Sequence, residues 1–159
     1  MNIPKNRQVA VVGSSDVDYG SAALATEVGR TVAAVGAVLI CGGLGGTMEA
    51  AARGAKERGG ITVGIVPSYQ KDTANPYIDI IIPSGLGHAR NALVAASGDL
   101  VVALPGSHGT RSEVSLALKM GRPVIGVTAW SDIPQVKVVN SAQELERELC
   151  LVFRHPITI

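Results

Sequence analysis

Short apolar runs, each rich in valine and isoleucine, recur along the chain, and most of them end at glycine or proline. Ala-rich stretches with helical spacing separate several of these runs, for example where Ala25, Val28, Val32 and Val35 fall on one helix face. Such runs are typical of strands buried on both faces of a parallel sheet. The alternation predicts βαβ units and a three-layer α/β/α sandwich around a mostly parallel sheet of about six or seven strands. The predicted strands are QVAVVG, AVLICGG, TVGIVP, IDIIIP, DLVVALPG, RPVIGV and the shorter VKVV.

The length and charge of the chain restrict its organisation and its partners. At 159 residues, the chain is expected to form a single domain, residues 1–159. Lys and Arg number 14 against 13 Asp and Glu, which argues against a general nucleic-acid binder and favours a small ligand. Neither a signal peptide nor a long apolar run is visible, and Cys41 and Cys150 lie far apart. We therefore expect a cytoplasmic protein with reduced thiols and no membrane partner.

Four predicted loops should meet at one edge of this sheet. The carboxyl ends of parallel strands share an edge, and ligands of such sheets bind there. The polar stretch from Ser68 to Tyr77 could cover such a site. The four loops follow strands one, two, five and six, and they are Gly13-Ser14-Ser15, Gly42 to Thr47, Pro105 to Thr110 and Thr128 to Trp130.

The second of these loops contains a glycine cluster. It has no GxGxxG pattern, the chain has no Gly-Lys dipeptide, and Cys41 stands where a dinucleotide-binding strand would end in an acidic residue. These features argue against NAD binding and against a Walker-type ATP site. The glycines either permit tight turns only or bring the backbone against a phosphate or sugar, and their clustering favours the second. The candidate binding residues here are Gly42, Gly43, Gly45, Gly46 and Thr47, with Gly13 and Ser14 from the first loop.

The stretch LPGSHGTRSE follows the fifth predicted strand. Gly106 and Gly109 are expected to adopt backbone angles that turn N–H groups towards one point, and Thr110 is expected to cap the next helix. These N–H groups and the positive end of the helix dipole predict a phosphate site. The candidate phosphate-binding residues are Gly106, Ser107, His108, Gly109, Thr110 and Arg111.

Glu113 has two interpretations. Thr110 and Glu113 match a T-x-x-E capping box, in which the Glu accepts a hydrogen bond from the backbone of the cap residue. Alternatively, the carboxylate serves the ligand. Arg90 and Arg111 favour the second interpretation, because both fall in the first turn of predicted helices, where a cation opposes the helix dipole unless an anion offsets it.

Two segments together resemble a known superfamily. CGGLGGTMEAAARGA, paired with GHARNALVAASGDLVVALPGSHGTRSEVSLALKMGRPVIGV, is similar to the Lonely Guy, or SLOG, superfamily of Rossmann-like proteins. The resemblance covers roughly residues 9–127 and is closest to a branch that includes molybdenum-cofactor carrier proteins. It is more distant to the DNA-processing protein A domain. It implies a Rossmann-like fold that binds a phosphate-bearing nucleotide or a molybdopterin-type ligand.

The resemblance also implies a chemistry. The phosphoribohydrolases of this superfamily carry the motif PGGxGTxxE with an upstream Arg and split nucleoside 5′-monophosphates into base and ribose 5-phosphate. By position, Glu113 and Arg90 would be the catalytic residues, with no metal required. This sequence has Ser107-His108 in place of the second motif glycine and the residue after it. That departure leaves open a non-catalytic molybdenum-cofactor carrier or nucleotide sensor, and single-stranded DNA handling is a third, weaker alternative.

The remaining expectations concern metal and assembly. His88, His108 and Cys41 do not have the spacing of a standard metal site, so no metal is expected. The role of Trp130, as packing or as a wall of the ligand pocket, stays open. The Ala-rich segments MEAAARGA and ALVAASG permit close helix packing against a second subunit. Because the resembling families are dimers or larger, we expect a homo-oligomer, a dimer or a tetramer.

Overall fold

The computed structural model describes residues 7–154. Within that range the chain forms seven strands and five α-helices, so every predicted strand forms, and no α-helix separates the third strand from the fourth or the sixth from the seventh. Short 3-10 helices at Lys71–Thr73 and Gly87–Ala89 flank the fourth strand. The elements are β1 (Gln8–Val12), α1 (Tyr19–Ala34), β2 (Val38–Cys41), α2 (Thr47–Glu57), β3 (Thr62–Val66), β4 (Ile80–Pro83), α3 (Arg90–Ser97), β5 (Leu100–Ala103), α4 (His108–Lys119), β6 (Val124–Val127), β7 (Lys137–Val139) and α5 (Ala142–Arg154).

The seven described strands form one parallel sheet in the order β4-β3-β2-β1-β5-β6-β7. The chain runs outwards from β1 to β4, then returns to place β5 beside β1 and runs outwards on the other side. The strand order therefore reverses between β1 and β5, where Val9 pairs with Leu100 and Val12 with Ala103. A reversal of this kind opens a crevice between two loops that leave in opposite directions.

Helices cover both faces of the sheet, which confirms the predicted three-layer Rossmann-like sandwich. Side chains of α1, α2 and α5 pack on one face, and those of α3 and α4 pack on the other. The central strands β1 and β5 contribute alternate residues to the two cores, so β5 is buried along its whole length. Edge strand β4 departs from the expected burial, because it pairs with β3 alone and leaves Ile80 and Ile82 about half exposed.

Two helices begin with the side-chain caps that their sequences suggest. Asp18 accepts a hydrogen bond from the N–H of Ser21 at the start of α1. At the start of α5, the Ser141 hydroxyl accepts from the N–H of Glu144, and the Glu144 carboxylate accepts from the N–H of Asn140. Ser141 and Glu144 therefore form a capping box at the start of α5, with its return bond made to the residue before the cap. No helix within residues 7–154 combines the length and the apolar character needed to cross a membrane.

Helices α1 and α2 pack at unusually short range. A Cβ added at Gly29 would lie 1.9 Å from the carbonyl oxygen of Ala51, and one added at Gly54 would lie 2.0 Å from that of Thr26. These glycines let the two backbones approach closely on the same face of the sheet. The small residues of MEAAARGA, which were expected to permit contact with another subunit, are thus used mainly inside the chain. The homo-oligomer itself stays a prediction.

The α1–α2 contact predicts that the same substitution at two glycines of α1 changes the free energy of unfolding differently. Gly29→Ala should lower the free energy of unfolding by about 2 kcal/mol or more, because the new methyl group meets a backbone carbonyl that cannot turn away. Gly20→Ala is the matched control. Its Cβ would meet only the Asp18 carboxylate at 3.7 Å, so stability should stay the same or rise by up to about 1 kcal/mol. Urea unfolding measures both, and equal stabilities would contradict the close packing.

Candidate ligand-binding site

A cavity of about 380 Å³ opens at the carboxyl edge of the sheet, where the strand order reverses between β1 and β5. Its volume is within the range of ligand pockets, about 300–1,000 Å³. The loops after β1, β2 and β5 contribute to it as expected, and the segment before α3 closes another side. The lining residues are Val11, Val12, Gly13, Ser14, Ser15, Gly42, Leu44, Met48, Pro67, Gly87, His88, Arg90, Asn91, Ser107, Gly109, Thr110 and Glu113.

Two charged side chains lie buried in the wall of this cavity. Arg90, the first residue of α3, is 8% exposed, and Glu113, on α4, is 7% exposed. Arg90 Nη1 lies 4.0 Å from Glu113 Oε1 and donates a hydrogen bond of 2.5 Å to Asn91 Oδ1. Gly42 makes room for the guanidinium, since a Cβ there would lie 2.7 Å from Arg90 Cζ. The two residues that the motif resemblance named as catalytic candidates therefore lie next to each other in the fold.

This pair retains unused hydrogen-bonding capacity. Arg90 Nε is buried without a hydrogen-bond partner, and within residues 7–154 no group accepts a hydrogen bond from Nη2. In the same part of the chain no group donates a hydrogen bond to the Glu113 carboxylate. Buried polar groups without partners are rare in folded proteins. The Nε atom itself is closed off, but the free Nη2 donor and the free carboxylate of this pair lie in the cavity wall and indicate a place for a polar ligand.

Burial controls the charge of the pair. It raises the pKa of Glu113 to about 7, and the nearby positive charge of Arg90 offsets only part of that rise. Burial also lowers the pKa of Arg90, against the opposing effect of the Glu113 charge. A guanidinium nevertheless stays protonated in proteins. The carboxyl group is therefore the member of the pair that changes charge near neutral pH.

The start of α4 forms another wall of the cavity. The helix begins at His108, and the N–H of Arg111 donates to the carbonyl of Ser107 at 2.9 Å. The amides before Arg111 have no acceptor inside the helix, as in the first turn of any helix. Ser107 makes no side-chain cap bond, and both it and Gly109 line the cavity. These groups and the helix dipole favour an anion.

The structure corrects the local geometry predicted for LPGSHGTRSE. Because α4 begins two residues before Thr110, Thr110 is not its cap, and the Thr110–Glu113 capping box does not form. Neither Gly106 nor Gly109 has a positive φ. Gly109 is helical with open space beside its Cα, whereas a Cβ at Gly106 would lie 2.1 Å from Thr110 Oγ1. Gly106 therefore permits a close contact between the loop and α4, and Gly109 leaves the cavity wall open.

Arg111 lies outside the cavity lining. Its guanidinium stacks 5.0 Å from the centre of the Trp130 ring and forms an ion pair of 2.8 Å with Asp132. Asp132 thus supplies the negative charge that a cation in the first turn requires. Trp130 is buried and donates from Nε1 to the carbonyl of Leu104 at 2.9 Å. Trp130 therefore has a packing role. Contrary to the expectation from the sequence, the Thr128 to Trp130 loop does not line the cavity.

Most of the glycine cluster supports the loops without lining the cavity. The N–H of Thr47 donates to the carbonyl of Ser14 at 2.9 Å, which ties the start of α2 to the loop after β1. Asn75 donates from its backbone to the carbonyl of Gly43 and from its side chain to that of Leu44, both at 2.8 Å. The segment from Ser68 to Tyr77 thus braces this loop. The predicted residues outside the lining are Gly43, Gly45, Gly46, Thr47, Gly106, His108 and Arg111.

Several cavity residues were not assigned a binding role from the sequence. No sequence motif gives a binding role to His88, Asn91 or Met48, and Leu44 belongs to the predicted loop without being one of its candidate binding residues. Their proximity to Arg90 and to the glycine cluster was the one available clue. Residues 7–154 hold no group of three or more His, Cys, Asp or Glu side chains that could bind a metal ion. Cys41 is fully buried, and burial raises the pKa of its thiol to about 11, which agrees with a small packing residue.

Comparison with known proteins places this architecture among its relatives. The model of the SLOG cluster4 family matches residues 6–155. A protein of Archaeoglobus fulgidus is 40% identical over 140 residues, which are 88% of this chain and 92% of that protein. The structure of the molybdenum cofactor binding protein from the phototrophic bacterium Rippkaea orientalis aligns with a TM-score of 0.86 at 31% identity, over 95% of this chain and 99% of that one. The molybdenum cofactor carrier protein of Chlamydomonas reinhardtii also aligns with a TM-score of 0.86, at 29% identity over 95% and 100% of the two chains.

The raised pKa of Glu113 predicts a pH-dependent stability. Because this pKa rises from 4.5 to about 7 on folding, the folded state holds the proton more tightly than the unfolded state does. The stabilisation is full below pH 4.5 and is lost as the pH rises through 7. Relative to Glu113→Gln, the wild type should therefore lose about 2 kcal/mol of unfolding free energy between pH 5 and pH 8.

Urea unfolding of both proteins at the two pH values measures this change. Glu146→Gln, on the exposed side of α5, is the control for the loss of a surface carboxyl. A wild type that gains stability relative to Glu113→Gln at the higher pH would contradict the burial argument.

Proposed function

The chain belongs to the SLOG cluster4 family, and we propose that it binds a phosphorylated heterocyclic ligand as a non-catalytic carrier of a molybdopterin-type cofactor. One observation carries this proposal. The buried Arg90–Glu113 pair and the amino end of α4 line the same cavity, so one ligand can meet both. The likeness to a molybdenum cofactor binding protein and to a molybdenum cofactor carrier protein over nearly the whole chain supports the carrier role.

The amino end of α4 suits the phosphate of such a ligand. Its first-turn amides lack acceptors inside the helix, and the positive end of the helix dipole favours an anion. Ser107 adds a hydroxyl that no cap bond occupies. No lysine is among the lining residues of the described chain, and Arg90 is their one guanidinium. A phosphate held mainly by backbone amides can be released again, as a carrier requires.

The rest of the cavity suits a flat polar ring. Leu44, Met48 and Pro67 provide apolar surface, while Arg90 and Glu113 provide a donor and an acceptor. Ligand pockets typically combine such apolar walls with a few polar groups that orient the ligand. No described residue donates to the Glu113 carboxylate, so this wall keeps acceptor capacity for a polar group of the ligand. The residues present therefore fit a phosphorylated pterin or a nucleotide.

A nucleoside 5′-monophosphate phosphoribohydrolase is the second candidate, and the Arg90–Glu113 contact favours it. Cleavage of an N-glycosidic bond develops positive charge on the ribose, which a buried carboxylate stabilises. A carboxyl group with a pKa of about 7 is also suited to moving a proton at neutral pH. Against this candidate stands Ser107-His108, whose side chains replace the glycine and the variable residue of the hydrolase motif.

Phosphate binding at α4 predicts a loss of ligand in one of two matched glycine variants. Gly109 is the second residue of α4 and lines the cavity, so Gly109→Val should crowd the ligand and lower its bound fraction by about tenfold or more. Gly20 is the second residue of α1, and a Cβ there would meet only Asp18 Oδ1 at an ordinary contact distance of 3.7 Å, so Gly20→Val should retain the ligand. Both proteins are purified from cells that make the cofactor.

Molybdenum is measured by elemental analysis, and pterin is measured by fluorescence after oxidation. The carrier predicts both in near-equimolar amounts in the wild type and in Gly20→Val. The absence of pterin and molybdenum from wild type loaded under these conditions would refute the carrier.

The hydrolase makes a different prediction for AMP. If Glu113 serves hydrolysis, Glu113→Gln should reduce base release by about 100-fold or more while the affinity for AMP stays within a few-fold. The carrier predicts no base release from wild type or variant. Chromatography of the products and calorimetric titration with AMP distinguish the two functions, and steady release of adenine by the wild type would replace the carrier with the hydrolase.

A further inference from the structure

The hydrogen-bonding groups that Arg90 and Glu113 leave unmatched differ in kind. In its ionised form the Glu113 side chain has two oxygens that only accept hydrogen bonds, and no described residue donates to either. The guanidinium of Arg90 can only donate, and its Nη1 is already bonded to Asn91. Asn91 therefore holds the guanidinium in place beside Glu113. The wall thus presents a double acceptor next to a donor, at a separation of 4.0 Å.

The best complement to this wall is a ring edge with two adjacent N–H donors followed by a carbonyl oxygen. The 2-amino-4-oxopyrimidine ring has that edge, with an amino group, a ring N–H and a carbonyl in sequence. Pterins and guanine share it. Adenine offers one donor and one acceptor at the corresponding edge, so it cannot give two adjacent N–H donors to a carboxylate, which only accepts hydrogen bonds.

We propose that Arg90 and Glu113 select ligands with a 2-amino-4-oxopyrimidine edge. Glu113 accepts hydrogen bonds from the ring N–H and the amino group, and Arg90 donates to the carbonyl oxygen. This inference rests on the proposed function, because it takes the same cavity as the ligand site. It extends that function by naming the part of the ligand that the buried pair recognises.

The burial of the pair makes the selection strong. Hydrogen bonds to a charged group are about twice as strong as those between neutral groups. A ligand without the 2-amino group would leave one carboxylate oxygen buried and unpaired, and sites built to bond a polar group reject analogues that lack it. A preference of at least about tenfold follows for the amino-bearing ligand.

Calorimetric titration of the wild-type protein tests this selection without any mutation. GMP and IMP differ only in the 2-amino group, AMP lacks the carbonyl, and ribose 5-phosphate has no base. GMP should bind at least about tenfold more tightly than IMP or AMP. In a parallel series, 6-hydroxymethylpterin should bind at least about tenfold more tightly than 6-hydroxymethyllumazine, which has an oxo group in place of the amino group.

The two series separate the possible sources of the edge. Selective binding of the pterin with weak binding of GMP supports a pterin ligand, and the reverse supports a guanine nucleotide. Equal affinities for GMP, IMP and AMP, together with equal affinities for pterin and lumazine, would overturn the inference while leaving the phosphate site intact. If neither ribose 5-phosphate nor any nucleotide or pterin binds, the proposed function fails and this inference fails with it.

Glu113→Gln locates the selection in the buried pair. In Gln an NH2 donor replaces one carboxylate oxygen, so the variant cannot accept from two adjacent N–H groups side by side, and its affinity for GMP should fall to that of IMP. Glu146→Gln, remote on α5, should keep the full preference. Circular dichroism melting verifies that both variants fold. A folded Glu113→Gln protein that still prefers GMP by the wild-type factor would contradict the assignment.

Discussion

The parallel pairing of β1 with β5 is the constraint on which the site depends. It reverses the direction in which the chain crosses the sheet, and it sets the loop after β1 against the loop after β5. A hydrogen bond of 3.2 Å from the N–H of Ser14 to the carbonyl of Pro105 joins the two loops directly. The cavity opens beside this contact, and α4 starts at its rim. Without the reversal, neighbouring loops at the carboxyl edge would all turn to the same side of the sheet, and no crevice would open between them.

The buried ion pair has no evident structural use within the described chain. Burying two charges is costly, and their attraction at 4.0 Å offsets that cost only when hydrogen bonds satisfy the remaining polar atoms. Here Arg90 Nε lacks a partner, and burial raises the pKa of Glu113 to about 7 despite the neighbouring cation. Strained polar arrangements of this kind are typical of functional sites. A bound ligand with hydrogen bonds to Nη2 of Arg90 and to the carboxylate of Glu113 would offset part of that cost.

The sequence predicted the sheet well because each strand is a self-contained apolar run. It also placed the loops after β1, β2 and β5 at one edge, because parallel strands share an edge, and the motif resemblance named Arg90 and Glu113 as candidates without predicting their contact. The sequence misplaced the start of α4, because the T-x-x-E pattern is the same whether or not Thr110 caps the helix. In the fold, α4 begins at His108 and Thr110 is buried inside its first turn. The Arg111–Asp132 contact joins residues with no shared local pattern, so only the folded chain reveals it.

A crystal structure of the protein with bound GMP tests the central claim most directly, since it locates phosphate and base at once. The account predicts the phosphate within hydrogen-bonding distance of the amides at the start of α4, and the guanine edge against Arg90 and Glu113. A phosphate bound at the start of α2 or outside the cavity, with Arg90 and Glu113 still touching only each other, would contradict it.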